Sequence, residues 1–147
     1  SRIDDYVILK GNINIGKHVH ISSFCILTAP NVKSSITIGD FSGISAHTSI
    51  YAVTDDFTKS FLVNPTVKKN YTKPQLGHIK IGKCCLIGLK STLLPKCNLK
   101  DFVSISANSV VNEKIDTGNL LIQRAKNKLI KNKDIKKLKK LIKNYKH

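Results

Sequence analysis

The sequence predicts an all-β chain wound as a triangular coil of short parallel strands, a parallel β-helix, and three observations carry that expectation. Aliphatic residues recur at every sixth position, small or turn-forming residues follow them at fixed offsets, and two interruptions break the phase. Ile3, Leu9, Ile15, Ile21 and Leu27 form a first block. Ile38, Ile44 and Ile50 form a second, and Ile81, Ile87, Leu93, Leu99, Ile105 and Val111 a third, fourteen in-phase aliphatics in all. A helix spaces its apolar residues about 3.6 apart and a strand about 2 apart. A period of six fits neither alone. It fits a short strand plus a tight turn, repeated as the sides of a triangle, so that three hexads close one coil and the inward aliphatics stack into a dry core.

The other hexad positions follow from that geometry. The residue after each aliphatic is often small or turn-forming: Asp4, Gly16, Ser22, Gly39, Ser45, Gly82, Gly88, Ser106. Four residues after it stands a small or β-branched residue, among them Val19, Cys25, Ser42, Thr48, Cys85, Ser91, Cys97, Val103 and Ser109. Three of the four cysteines therefore read as small core residues, and Cys84 should point outward. No CxxC pair or zinc-type array is present, which suits reduced thiols in a cytoplasmic protein.

Two breaks interrupt the coil. The first, around Pro30–Ser35, predicts a small bulge at a corner. The second, 53–78, holds Pro65 and Pro74, several aromatics and no hexad. A loop of that length is functional or disordered as a rule. Phe57, Phe61, Leu62 and Tyr71 give it groups to pack with, so an ordered loop lying on a neighbouring subunit is expected. The coil domain is set at 1–111 with the 53–78 loop extruded, and 112–147 as a connector and a basic C-terminal helix. From Asn132, the residues Ile135, Leu138, Leu141, Ile142 and Tyr145 recur at helical spacing. Their stripe would cap the open end of the coil or pack on a subunit. Contact of this basic helix with a membrane surface is the less favoured reading.

The net charge of +16 is unevenly placed. Residues 119–147 hold eleven Lys or Arg against one acid, Asp134. A charge excess confined to a lysine-rich tail argues against a nucleic-acid partner. No apolar run reaches about 18 residues, so no transmembrane helix is expected, and no signal peptide is visible. The start at Ser1-Arg2-Ile3, without an initiator Met, predicts that a short stretch has been trimmed.

The stretches IGDFSGISAHTSIYAVTDDF (38–57), NPTV (64–67) and HIKIGKCCLIGLKSTLLPKCNL (78–99) resemble the bacterial hexapeptide-repeat acyltransferases. The likeness is to the branch comprising sugar O-acetyltransferases and nucleotide-amino-sugar N-acetyltransferases of surface-polysaccharide synthesis. It spans roughly residues 3–126. It implies left-handed winding, a homotrimer, acetyl-CoA as co-substrate and a sugar or nucleotide-sugar acceptor. By position it places the cofactor at Gly88, Ser91, Ser106, Ala107, Arg124 and Lys126. Small residues there let the pantetheine arm approach the backbone, and cations hold the phosphates.

Acetyl transfer needs a base for the acceptor's proton and a donor for the thioester oxyanion. Relatives of the galactoside type carry a His where this chain has Thr54-Asp55-Asp56. His47, before the loop, is the preferred base, with Asp55 to orient an imidazole or to act itself. A plain surface histidine is the other reading of His47, and a loop turn that of the two aspartates. Tyr51, Asp56 and His78 are candidates for contact with the acceptor. A histidine metal site of the carbonic anhydrase kind is disfavoured, because only His18 and His20 lie close together. A non-catalytic trimeric scaffold or binding module is the rival to the enzyme.

Overall fold

A computed structural model describes residues 1–56, 58–123 and 135–144. The chain forms two compact units, Ser1–Val53 with Leu76–Arg124, and Thr54–Gln75 with Ala125–His147.

The first unit is a coil of three parallel sheets. One face stacks Arg2–Ile3, His20–Ile21, Gly43–Ile44, Leu86–Ile87, Ser104–Ile105 and Leu120–Leu121. The second stacks Ile8–Gly11, Ile26–Ala29, Ser49–Tyr51, Thr92–Leu93 and Val110–Val111. The third stacks Ile13–Ile15, Ser35–Ile38, His78–Ile81, Asn98–Leu99 and Lys114–Ile115. The sixfold phase becomes vertical register. Ile3, Ile21, Ile44, Ile87 and Ile105 stand opposite one another up the first face. Leu9, Leu27, Ile50, Leu93 and Val111 do so up the second. Ile21, Leu27, Ile38, Ile44, Ile50, Ile87, Leu93 and Leu99 are sealed from solvent. Each such side chain contributes roughly 1.5–3 kcal/mol of burial. Ile3 and Leu9, in the first coil, keep 46% and 42% of their surface exposed.

The corners explain the small residues. Four positions after the aliphatic, a buried hydroxyl or thiol donates to a turn carbonyl of the next coil. Ser42 Oγ reaches Gly82 O at 2.8 Å, Ser91 Oγ reaches Ser106 O at 3.0 Å and Cys85 Sγ reaches Lys100 O at 3.1 Å. Burial pushes the thiol of Cys97 up to about 12 and raises those of Cys25 and Cys85 as well. Cys84 is exposed, as the hexad phase predicts.

Three positions after the aliphatic, the backbone is left-handed. Tyr6, Phe24, His47, Lys90 and Asn108 do this at the first corner, and His18, Phe41, Cys84, Phe102 and Gly118 at the corner leading back to the first face. The tight turn needs φ > 0 there. A non-glycine residue costs on the order of 1–2 kcal/mol in that conformation. Side chains offset part of the cost by stacking from coil to coil: Tyr6 on Phe24 at 5.1 Å, and His18 on Phe41 at 4.8 Å.

Every break in phase falls at the remaining corner, between the second and third faces. Pro30–Ser34 make a turn there, in which Ser34 N donates to Asn31 O at 2.9 Å. The chain departs at the same edge after Ile50 and returns at His78–Ile81. Past Val111, the expected end, the coil continues. Ile115 stands opposite Leu99 and Leu121 opposite Ile105. A four-residue step from Val111 to Ile115 hides these strands from a sixfold count, so residues 112–121 are coil rather than connector.

In the second unit, Leu62 bridges Thr72 and Lys69–Tyr71 form a 3₁₀ turn. The helix spans Ile135–Asn144; Asn132 and Tyr145 lie outside the described residues. It meets the loop of its own chain. Tyr71 Oη donates to Asn144 O at 2.8 Å, and Lys137 Nζ lies 4.0 Å from the Phe61 ring centre. These contacts give the loop packing partners within its own unit. Phe57 lies outside the described residues. Among them, no helix is long and apolar enough to cross a membrane.

Two glycines of one turn separate close approach from open space. A Cβ on Gly39 would sit 2.6–2.7 Å from backbone atoms of Gly82 and Lys83, whereas one on Gly43 would meet only a Leu86 methyl at 3.4 Å. Gly39→Ala is expected to lose about 1–3 kcal/mol in urea unfolding, and Gly43→Ala to stay within about 0.5 kcal/mol. For the thiols, the folded chain is expected to react with a bulky disulfide reagent at Cys84 alone, and at Cys25, Cys85 and Cys97 only after unfolding.

Candidate functional site

The coil gathers five of the eleven sequence-marked residues, His47, Gly88, Ser91, Ser106 and Ala107, at the first corner. His47 occupies its left-handed turn position (φ 59) and is exposed. Its ring stacks on Phe24 with centroids 5.0 Å apart and planes 10° from parallel. The main chain fixes it too, since His47 N donates to Ser23 O at 3.2 Å. The imidazole is thus held by a neighbouring ring and a strained turn, with its edge left to solvent. One coil on, Gly88 is half-buried. A Cβ there would lie 2.5 Å from Ala107 N and 2.6 Å from Ile105 O, so only glycine lets these coils meet. Ala107 is exposed beside it and Ser106 is half-buried, its Oγ 3.0 Å from Ser109 Oγ.

Ser91 belongs to the same corner, but its side chain faces the interior. It is fully buried, donating to Ser106 O at 3.0 Å and accepting from Ser109 N at 3.3 Å. Its hydroxyl braces the wall. Arg124 and Lys126 lie outside the described residues.

Tyr51 and His78 stand at a different corner, the irregular one. Tyr51 ends the second-face strand Ser49–Tyr51 and is half-buried. His78 opens the third-face strand, exposed, with Nδ1 2.8 Å from Ser35 Oγ. It lines a cleft of about 570 Å³ with Lys33, Leu76, Gly77, Lys80, Lys96 and Asn98. Sequence reasoning passed over the three lysines because they lie far apart in the chain. Register was the signal that could have found them: Lys80 pairs with Asn98 and His78 with Ser35 across adjacent coils.

The two aspartates belong to the second unit and differ sharply. Asp55 is exposed. Asp56 is 5% exposed, and its carboxylate accepts from Thr58 N at 3.0 Å and Thr58 Oγ1 at 2.5 Å, with Lys59 Nζ 3.6 Å away. These donors, Thr58 Oγ1 foremost, hold its carboxyl down at about 2. The arrangement is an Asx turn in which the acid organises the loop.

No family model matches the chain. The acyltransferase of Escherichia coli described as acting on dTDP-4-amino-4,6-dideoxy-D-glucose is 34% identical over 115 residues, 76% of this chain and 58% of that protein. The bifunctional protein GlmU of Trichodesmium erythraeum is 31% identical over 129 residues, 86% of this chain and 25% of that one. This chain thus spans little more than half of the first relative and a quarter of the second. Among solved structures, AntD, an N-acyltransferase from Bacillus cereus, superposes with a TM-score of 0.71 and 33% identity in its complex with dTDP and 3-hydroxybutyryl-CoA, over 81% of this chain and 62% of AntD. A mutant of AntD holding dTDP-4-amino-4,6-dideoxyglucose and coenzyme A superposes with a TM-score of 0.76 and 30% identity, over 97% of this chain and 74% of AntD.

The Asp56 turn has a direct pH consequence. A carboxyl at about 2 when folded, against an ordinary 3.8, stabilises the loop fully above 3.8 and loses that contribution as pH falls through 2. Amide-exchange protection at Thr58 is expected to fall over that window. In Asp56→Asn it should already be low at neutral pH and change little on acidification.

Proposed function

Because this chain belongs to the hexapeptide-repeat sugar acyltransferases, proteins of the left-handed β-helix fold, we propose that it transfers an acyl group from a coenzyme A thioester to the amine of a nucleotide-linked amino sugar. Acetyl is the acyl group proposed, and a homotrimer in the cytoplasm the working form. The observation that carries the reading is the superposition on AntD holding an amino-sugar nucleotide and coenzyme A, which extends over 97% of this chain.

The chemistry assigns work to the corners. The acceptor amine attacks the thioester carbonyl, a tetrahedral oxyanion forms, and coenzyme A leaves as its thiol. A neutral amine must lose a proton as the C–N bond forms. His47 is the proposed base, because it is exposed and its ring is held in one orientation by Phe24. Asp55, exposed in the loop, is proposed to orient the imidazole or the sugar. Gly88, Ser106 and Ala107 would line the pantetheine arm, Gly88 by leaving its backbone bare, while Ser91 supports them from beneath. Tyr51 and His78 are proposed on the acceptor side. The buried Asp56 would shape the turn of its own loop.

The test is release of free coenzyme A from acetyl-CoA with dTDP-4-amino-4,6-dideoxyglucose as first acceptor, alongside thermal shifts with coenzyme A. His47→Ala is expected to lower kcat/KM by about 10²–10⁴ with the coenzyme A shift retained, and Asp55→Ala to lower it at least about tenfold. Wild-type rates in both variants would refute the assigned roles. If coenzyme A gives no shift at millimolar concentration and no amino-sugar nucleotide is acylated, the protein is a scaffold and the enzymatic reading falls.

A further inference from the structure

We infer that the cleft at the irregular corner, walled by Lys33, His78, Lys80, Lys96 and Asn98, is a binding site for the diphosphate group of a nucleotide ligand. The inference rests on the proposed acyl transfer for its ligand class, but its location comes from the coil alone.

Successive coils build the site. Ser35 and Thr37 stand opposite His78 and Lys80, and Lys80 stands opposite Asn98. A vertical column Thr37–Lys80–Asn98 results, with the pair Ser35–His78 beside it, at the strand spacing of about 4.8 Å, and Lys96 lines the same cleft from its turn. Lys33 enters from the Pro30–Ser34 turn beside them. Three coils therefore span roughly 10 Å, enough to pass a diphosphate together with the groups esterified to it. Gly77 forms the floor. A Cβ there would lie 2.8 Å from Lys96 N, so the chain returning from the loop passes without a side chain and the recess stays open.

Charge is the second argument. Some lysines elsewhere pair with acids, Lys83 with Asp40 at 3.5 Å and Lys114 with Asp116 at 2.8 Å, whereas the cleft brings three unpaired ones together. Among the described residues, no carboxylate lies within 4.0 Å of the ammonium groups of Lys33, Lys80 or Lys96, and none lines the cleft. Three ammonium groups gathered without a counter-ion repel one another, and a multiply charged anion relieves the repulsion. Lysine acts on a phosphate as a point charge, while the His78 ring and the Asn98 amide add directed hydrogen bonds. Ser35 engages His78 through Nδ1, which leaves Nε2 for a ligand.

Two ligands could supply the diphosphate, the nucleotide of the acceptor and coenzyme A. Isothermal titration of the full chain with inorganic pyrophosphate, dTDP and coenzyme A separates them. Lys80→Gln and Lys96→Gln should each weaken pyrophosphate about tenfold. The double variant should weaken it further, Lys80→Arg should restore most of the loss, and Lys10→Ala, on another face, should change nothing. Parallel loss for dTDP assigns the cleft to the acceptor, and parallel loss for coenzyme A assigns it to the donor. Unchanged affinity for all three ligands in a double variant of wild-type melting temperature overturns the inference. Should the wild type bind pyrophosphate here yet neither bind coenzyme A nor transfer an acyl group, the acyltransferase reading fails while the anion site stands.

Discussion

Coil-to-coil stacking at the spacing of a parallel sheet is the constraint from which the remaining features follow. A strand spacing of about 4.8 Å leaves no room for a side chain between two corner backbones. Hence Gly39 faces Gly82, and Gly88 faces Ala107. The same closeness brings a turn carbonyl within reach of the small residue below it, so Ser42, Ser91 and Cys85 become donors as well as filler. A larger apolar residue at those positions would lose the bond and strain the coil. Core, corner and ladder are thus one solution to one spacing.

That spacing also decides where irregularity is allowed. At two corners the step between inward aliphatics is six in every coil, and the left-handed turn residues stack, as Phe24 does on both Tyr6 and His47. An insertion there would break a column running the length of the coil. At the third corner the steps vary, and only Lys96 adopts a positive φ at the corresponding place. A chain that leaves and re-enters at one edge keeps both flanking strands in register. It also frees that edge to carry groups whose positions the core does not dictate, and His78 and the three lysines are there.

This division explains what the sequence made legible. Ile44, Ile87 and Ile105 are readable as a stack because burial selects the same residue type at a fixed interval. The left-handed residues are less so, since His47, Cys84, Lys90 and Phe102 share a backbone conformation but no chemistry. The last partial coil was missed because a short step at the permissive corner shifts Ile115 and Leu121 out of phase. The loop's contact with the helix was not legible because Tyr71 and Asn144 are joined through a main-chain carbonyl, which any residue could supply. For the site, His47 and Gly88 were marked separately, one by its place before the loop and one by family resemblance, and the coil brings them to one corner. Hexad position gave no means of telling the buried Asp56 from the exposed Asp55, because solvation in a non-repeating loop is set by contacts that have no period.

Charge illustrates the same lesson in reverse. A net +16 on 147 residues invites a polyanion, yet a nucleic-acid track needs positive charge repeated along a face. On the third face the columns do not continue it. Asn14 precedes Thr37 below Lys80, and above Asn98 comes Lys114, already paired with Asp116. The cleft's lysines are bounded on both sides along this column and confined to three coils, while much of the remaining excess sits in the tail. A field that local suits a small, highly charged group. The scale of the positive patch, rather than the total charge, is what matches a nucleotide.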